Sequence, residues 1–196
     1  MVSSTGVIKR RLFAVLFSSA LSIVSLETRA DWIQLGSDID GETMNDQSGS
    51  SVSVSSDGLT VAIGARYNDG NDSGSGHVRI YSFDSESSTW IQMGSDIDGE
   101  SGQDRSGGSV SLSSDGNTVA IGALGNDGNG SNSGHVRIYS YDNVSATWVQ
   151  MGSDIDGESE GDNSGRSVSL SSDGTAVAIG ASGNDGNGSN SGHVRI

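Results

Sequence analysis

Asp96-Ile97-Asp98-Gly99-Glu100, with Asp104 shortly after, sets carboxylates at alternate positions around a glycine. The pattern recurs as Asp38, Asp40, Glu42 and Asp46, and again as Asp154, Asp156, Glu158 and Asp162. Oxygen donors so spaced suit a hard cation such as Ca²⁺, although the full spacing of an EF-hand is missing; a solvated loop in an acidic protein is the plainer reading. His77, His135 and His193 also invite a metal reading. Each opens the same strand of a different copy, so the three need not converge, and packing or a hydrogen bond to a neighbouring loop is expected instead. Their neighbours Arg79, Arg137 and Arg195 are expected to pair with carboxylates, a weak contact where exposed. Asn71, Asn129, Asn143 and Asn187 each begin an Asn-x-Ser sequon, which in a eukaryotic source marks exposed, glycosylated loops. No set of unlike groups is gathered once, as nucleophilic catalysis would require. No catalytic residue is therefore assigned.

What positions these groups is a repeat. Trp32 through Glu42 recurs from Trp90 and from Trp148, and every later landmark keeps the 58-residue offset, as in Asp57, Asp115 and Asp173. Between the second and third copies 41 of 49 positions are identical, so the copies must share one conformation and one set of roles. The sequence divides into a leader at 1–30 and units at 31–89, 90–147 and 148–196, the last truncated. It stops inside an expected strand, as a fragment or a truncated gene product would.

Within a unit the apolar period is that of strands. Ser109 to Ser113 alternates with period two, and Ser114-Asp115-Gly116 turns the chain into Thr118 to Ala123. That second strand is nearly continuously apolar and small, which implies burial on both faces and close approach of a neighbouring sheet at Gly122. A third strand, His135 to Tyr141, places Val136 and Ile138 on one face and His135, Arg137 and Tyr139 on the other. A fourth begins at Trp148, whose indole is expected to fill the gap between adjacent sheets. Helical periodicity is absent after residue 30. The expected fold is all-β, with propeller-like tandem blades of four antiparallel strands, about three blades of an incomplete ring. A β-solenoid is the competing architecture, but its coils are shorter. Three blades leave two open sheet edges, through which the chain is expected to self-associate unless further copies close the ring.

Composition narrows the role. The formal net charge is −15, aromatics are 5% of the chain, and Cys and Pro are absent. After residue 30 six Arg and no Lys face 24 acids, which excludes nucleic acid as a partner. Lys9, Arg10 and Arg11 precede a mostly apolar run from Leu12 to Leu26 and a Thr28-Arg29-Ala30 end, the order of a secretory signal peptide. That run is short and serine-broken for a membrane anchor, the competing reading. The expected location is extracellular or periplasmic, with no membrane attachment once the leader is cleaved.

Three segments carry a family resemblance: Ser106-Gly107-Gly108-Ser109-Val110, then Ser114-Asp115-Gly116-Asn117-Thr118-Val119-Ala120-Ile121-Gly122-Ala123, then Ser133-Gly134-His135-Val136-Arg137-Ile138-Tyr139. The unit resembles an FG-GAP repeat, the blade type of the integrin α-subunit propeller, in a divergent form. Its Ser-Asp-Gly turn is also similar to that of a WD-repeat blade, without the Trp-Asp ending. The resemblance covers 31–196 and implies a ring of blades used for adhesion or ligand binding. Two departures stand out. Ser48, Ser106 and Ser164 replace the Phe of the Phe-Gly pair, and Arg66, Leu124 and Ser182 replace the Pro of Gly-Ala-Pro. The family's calcium loop keeps only Asp57, Asp115 and Asp173, with Val61, Val119 and Val177 where an acid should close it, so that site is expected to be lost.

Repeated, nearly identical surfaces suit multivalent binding more than catalysis, which needs unlike groups in unlike roles. The expectation is a non-catalytic extracellular binding or adhesion module for a protein or polysaccharide, with no cofactor unless the acidic loops hold Ca²⁺. Two other readings stand beside it: a structural or calcium-binding matrix protein, and a piece of a propeller hydrolase or lyase whose active residues lie elsewhere. The loop Asn126 to Gly134, rich in residues that tolerate positive φ, is where a binding rim is expected.

Overall fold

The computed structural model describes residues 31–196, so the leader at 1–30 lies outside the described residues. Among the described residues there is no helix, and thirteen strands form three antiparallel sheets. The first holds β1 (Ser48–Val54), β2 (Thr60–Ala65), β3 (His77–Asp84) and β4 (Thr89–Gln92), hydrogen-bonded in chain order. The two-residue β5 (Ile97–Asp98) pairs with the start of β3, whose end pairs with β4. The second sheet repeats this with β6 (Ser106–Leu112), β7 (Thr118–Ala123), β8 (His135–Asp142), β9 (Thr147–Gln150) and β10 (Ile155–Asp156). The third contains β11 (Ser164–Leu170), β12 (Val177–Ala181) and β13 (His193–Arg195). No sheet closes on itself as a barrel; the three stack as propeller-like blades.

The blades are phased differently from a repeat cut at its tryptophan. Trp90 opposes Phe83 and Trp148 opposes Tyr141, so these two tryptophans belong to the sheet of the strand before them. The acidic loop also contains more order than its composition indicates. Ile97 is buried in the core, and its pairing with Val78 turns the middle of that loop into β5.

Each blade has a bulky face and a small face, and this difference stacks them. Val110, Leu112, Val119, Ile121 and Tyr139 of the second sheet form one core with Ala62, Val78, Ile80 and Ile97 of the first. On the opposite face Ala120 and Val136 pack on Ile179 of the third sheet. Strand alternation produces this division, because neighbouring residues of β6 and β7 point to opposite sides. The serines of β6 thereby face the next blade. Ser109 Oγ donates to the Gly165 carbonyl at 2.7 Å, and Ser111 Oγ accepts from the Leu170 amide at 2.9 Å. Ser51 and Ser53 make the same two bonds from the first sheet to Gly107 and Leu112.

Gly64 and Gly122 stand at the closest approach. A Cβ on either would overlap the carbonyl of Gly107 or Gly165, which a bulge in β6 or β11 pushes toward it. The tryptophans tie the outer strands in a similar way. Trp148 Nε1 donates to the Met93 carbonyl at 2.8 Å, and Trp90 Nε1 to the Leu35 carbonyl at 2.9 Å. The indole therefore does bridge to the preceding segment, as its size leads one to expect.

Candidate functional site

At one end of the blades the loop after β7 meets the acidic segment that leads into β11. Asn129 Nδ2 donates to the carbonyls of Gly157 (2.8 Å) and Glu158 (3.1 Å), and Asn71 does the same to Gly99 and Glu100. Two of the four sequon asparagines thus spend their amide on the blade junction. All four are exposed, with Asn143 in the turn between β8 and β9 and Asn187 in the last long loop.

The four acids of one loop have separate posts. Asp104 is buried and accepts from the Ser101 amide at 3.0 Å and from Asn126 Nδ2 at 3.2 Å, which staples the loop end to the loop after β7. Asp46 and Asp162 hold the same place against Asn68 and Asn184. For Asp46, burial opposes ionisation, but hydrogen bonds from Thr43 and Asn68 prevail and hold the carboxyl below its ordinary value. Asp98 and Asp156 sit in β5 and β10, and Asp40 holds the corresponding place in the first copy. Their backbone carbonyls receive Arg137, Arg195 and Arg79 respectively, with Arg79 to Asp40 at 2.8 Å. Asp38, Asp96 and Asp154 each take a hydrogen bond from a glutamine four residues earlier. The acids within one loop therefore do not form a three-ligand group; among the described residues such groups draw on two successive loops and a histidine.

One group is Glu42, His77 and Asp96, and the other is Glu100, His135 and Asp154. His135 Nδ1 lies 3.6 Å from Asp154 Oδ2 and 3.9 Å from Glu100 Oε2. His77 Nδ1 has the same distances to Asp96 and Glu42. His193 faces Glu158 at 3.6 Å. The histidines do not converge on one another, in line with their separation by a blade; what sequence reasoning missed is that each meets acids from two loops. No local spacing could reveal this, because Glu100, His135 and Asp154 are 35 and 19 residues apart.

Burial, then the Arg137 guanidinium, pushes the His135 imidazole below its ordinary value, against the attraction of Asp154 and Glu100. The ring is thus favoured in its neutral form. Arg137 is buried rather than exposed, so its contacts count for more than a surface ion pair. Nη1 lies 3.6 Å from Glu100 Oε1, Nη2 donates to the Asp98 carbonyl at 2.6 Å, and the guanidinium stands over the Tyr139 ring at 5.6 Å.

Beside this cluster a groove of about 350 Å³ separates the first two sheets, lined by Ser95, Asp96, Asp98, Tyr139, Thr147 and Trp148. Trp90, Tyr81, Asp38 and Asp40 hold the corresponding positions one repeat earlier. In the hairpin turns Asp57, Asp115 and Asp173 share one role. Each accepts the hydroxyl of the serine two residues earlier at 2.6 Å and a backbone amide two residues later.

No curated protein matches the chain. Among solved structures, a chain of Kuenenia stuttgartiensis hydrazine synthase aligns over 67% of this chain and 28% of its own length, at 18% identity and a TM-score of 0.39. This chain therefore spans less than a third of that one. The sequence model of the FG-GAP repeat matches three times, over residues 38–81, 96–139 and 154–196, at the spacing of the stacked sheets, and the chain belongs to the FG-GAP repeat family.

Proposed function

We propose that this chain is a non-catalytic extracellular binding module that grips a repeating polysaccharide or a cell-surface protein through the grooves between its blades. The groove of Trp148, Tyr139, Asp96 and Asp98 carries this reading. An aromatic edge beside carboxylates offers an apolar platform and hydrogen-bond acceptors, the combination that a sugar ring or a polar peptide needs. Recurrence of the same residues one repeat earlier gives a second contact at a fixed step. Weak contacts on one polymer then add through effective concentration. Secretion rests on the leader sequence, and the like roles of equivalent residues favour binding over catalysis.

An array of immobilised polysaccharides and matrix proteins, probed with the intact chain, tests this. The expected result is binding to a long polymer that far exceeds binding to its isolated repeating unit. Substituting both Asp40→Asn and Asp98→Asn should weaken it about tenfold or more, since a charge-assisted hydrogen bond contributes about 1.5–3 kcal/mol. A folded chain that captures nothing on the array would remove the proposal.

A further inference from the structure

His135 is 1% exposed, and neither of its ring nitrogens has a hydrogen-bond partner. Buried polar groups in folded proteins are rarely left so. The two carboxylates that face Nδ1 stand at 3.6 and 3.9 Å, beyond hydrogen-bond reach yet close enough to share an ion with it. We infer that Glu100, His135 and Asp154, and their counterparts Glu42, His77 and Asp96, each bind a first-row divalent transition cation of the Zn²⁺ type that clasps one blade to the next.

Distance, donor type and orientation all favour such an ion. Ligand atoms about 2.0–2.2 Å from a tetrahedral ion lie roughly 3.3–3.6 Å from one another. The three donor atoms here fall within 4.8 Å of one another, so closure on the ion needs only small side-chain movements. One imidazole nitrogen with two carboxylate oxygens suits a borderline ion, whereas Ca²⁺ requires six to eight oxygens.

Each carboxylate is also held from behind. Gln150 Nε2 donates to Asp154 Oδ1 at 2.7 Å, which leaves Oδ2 toward the histidine, and Gln92 does the same for Asp96 at 2.6 Å. The Arg137 guanidinium lies at Glu100 Oε1, which leaves Oε2 toward the ring. Partners of this kind orient ligands in metal sites. The acids are partly exposed, which gives an ion a way in and leaves room for a water as fourth ligand. Glu100 lies on the segment between the first and second sheets, while His135 and Asp154 belong to the second. The bound ion therefore links successive blades, and the link repeats with the 58-residue step.

The test is Zn²⁺ titration of the metal-free intact chain by calorimetry, with melting followed by circular dichroism and Co²⁺ as a spectroscopic probe. Two equivalents of Zn²⁺, a higher melting temperature with Zn²⁺ than with Ca²⁺ or Mg²⁺, and the visible absorption of low-coordinate Co²⁺ are expected. His135→Gln should leave one equivalent, and His77→Gln combined with His135→Gln should leave none. Because a histidine variant could misfold, Glu42→Gln with Glu100→Gln, at partly exposed positions, provides a second test and should also abolish both the uptake and the melting shift. Absence of Zn²⁺ uptake by the folded chain, or uptake undiminished in the glutamate variant, would overturn the inference. Asp40 and Asp98 are ligands in neither group, so their effect on polymer binding reports separately.

Discussion

At the scale of residues, the acid that remains from the family's calcium loop acts as the lock of a turn. Ser113 Oγ donates to Asp115 at 2.6 Å and accepts the Thr118 amide at 3.0 Å, so a Ser-x-Asp-Gly segment satisfies its own backbone. Gly116, at φ 74°, completes the turn in a conformation that a side chain would resist. The ionised acid is the better acceptor, and the serine bond, followed by the neighbouring amide, lowers the carboxyl at Asp57 and Asp115. At Asp173, where Ser171 and Thr175 both donate hydroxyls, it falls from 3.8 to about 2. A carboxyl depressed in the fold stabilises it above the unfolded value and loses that contribution as protons bind. Stability should therefore hold above pH 3.8 and decline as the pH falls toward about 2. An acid titration followed by circular dichroism checks this: Asp57→Asn, Asp115→Asn and Asp173→Asn together should flatten that acid limb, and an unchanged limb would assign it to other acids.

At the scale of elements, the pairing of a small face with a bulky one sets the spacing of the sheets. Gly122 lies where a Cβ would meet the Gly165 carbonyl of the next sheet, a backbone atom that cannot step aside. Gly180 holds the same position in β12, yet a Cβ there would meet only the Ser167 hydroxyl, which can rotate away. Gly122→Ala should therefore cost about 3 kcal/mol, the upper part of the ordinary range for overpacking, and Gly180→Ala well under half of that. Equilibrium urea unfolding of the two variants measures the difference. Equal losses would show that strand propensity, and not sheet contact, fixes these glycines. The Ser-rich strands follow the same logic, for the hydroxyls of Ser109 and Ser111 replace bulk with hydrogen bonds where the next blade is near.

At the scale of the whole molecule, the stack has two unlike outer faces. Val52 and Val54 hold the places that Val110 and Leu112 fill in the second blade, but they are 65% and 60% exposed against 9% and 8%. At the other side the small face of the third sheet, with Ser167, Gly180 and Val194, borders an open hollow of about 450 Å³. The two faces are complementary in the way that joins the blades inside the chain, so copies should add head to tail, a contact that forms rings or open chains. Sedimentation velocity should show association that grows with concentration. Val52→Lys with Val54→Lys should return the protein to monomers without a large change in melting temperature, because both residues are exposed. A wild-type chain that stays monomeric at high concentration would contradict this.

The period, the longer strands and the division of faces are legible in the order of amino acids alone. Those properties reside in the alternation Ser-Val-Ser-Leu-Ser, in the Ser-x-Asp-Gly turn and in an offset that never changes, all of them local or repeated signals. That order also carried the place of close approach at Gly122 and the reach of the tryptophan, since a missing side chain and an oversized one each imply a neighbour. Where the charged groups meet depends on the packing of one sheet against the next. Ile97 and Asp98 become a strand because β3 offers them an edge, and Asp96 and Glu100 from one loop go to different histidines because a blade junction passes between them. Convergence across a junction depends on how far one sheet is turned against the next, a quantity that no segment of sequence records.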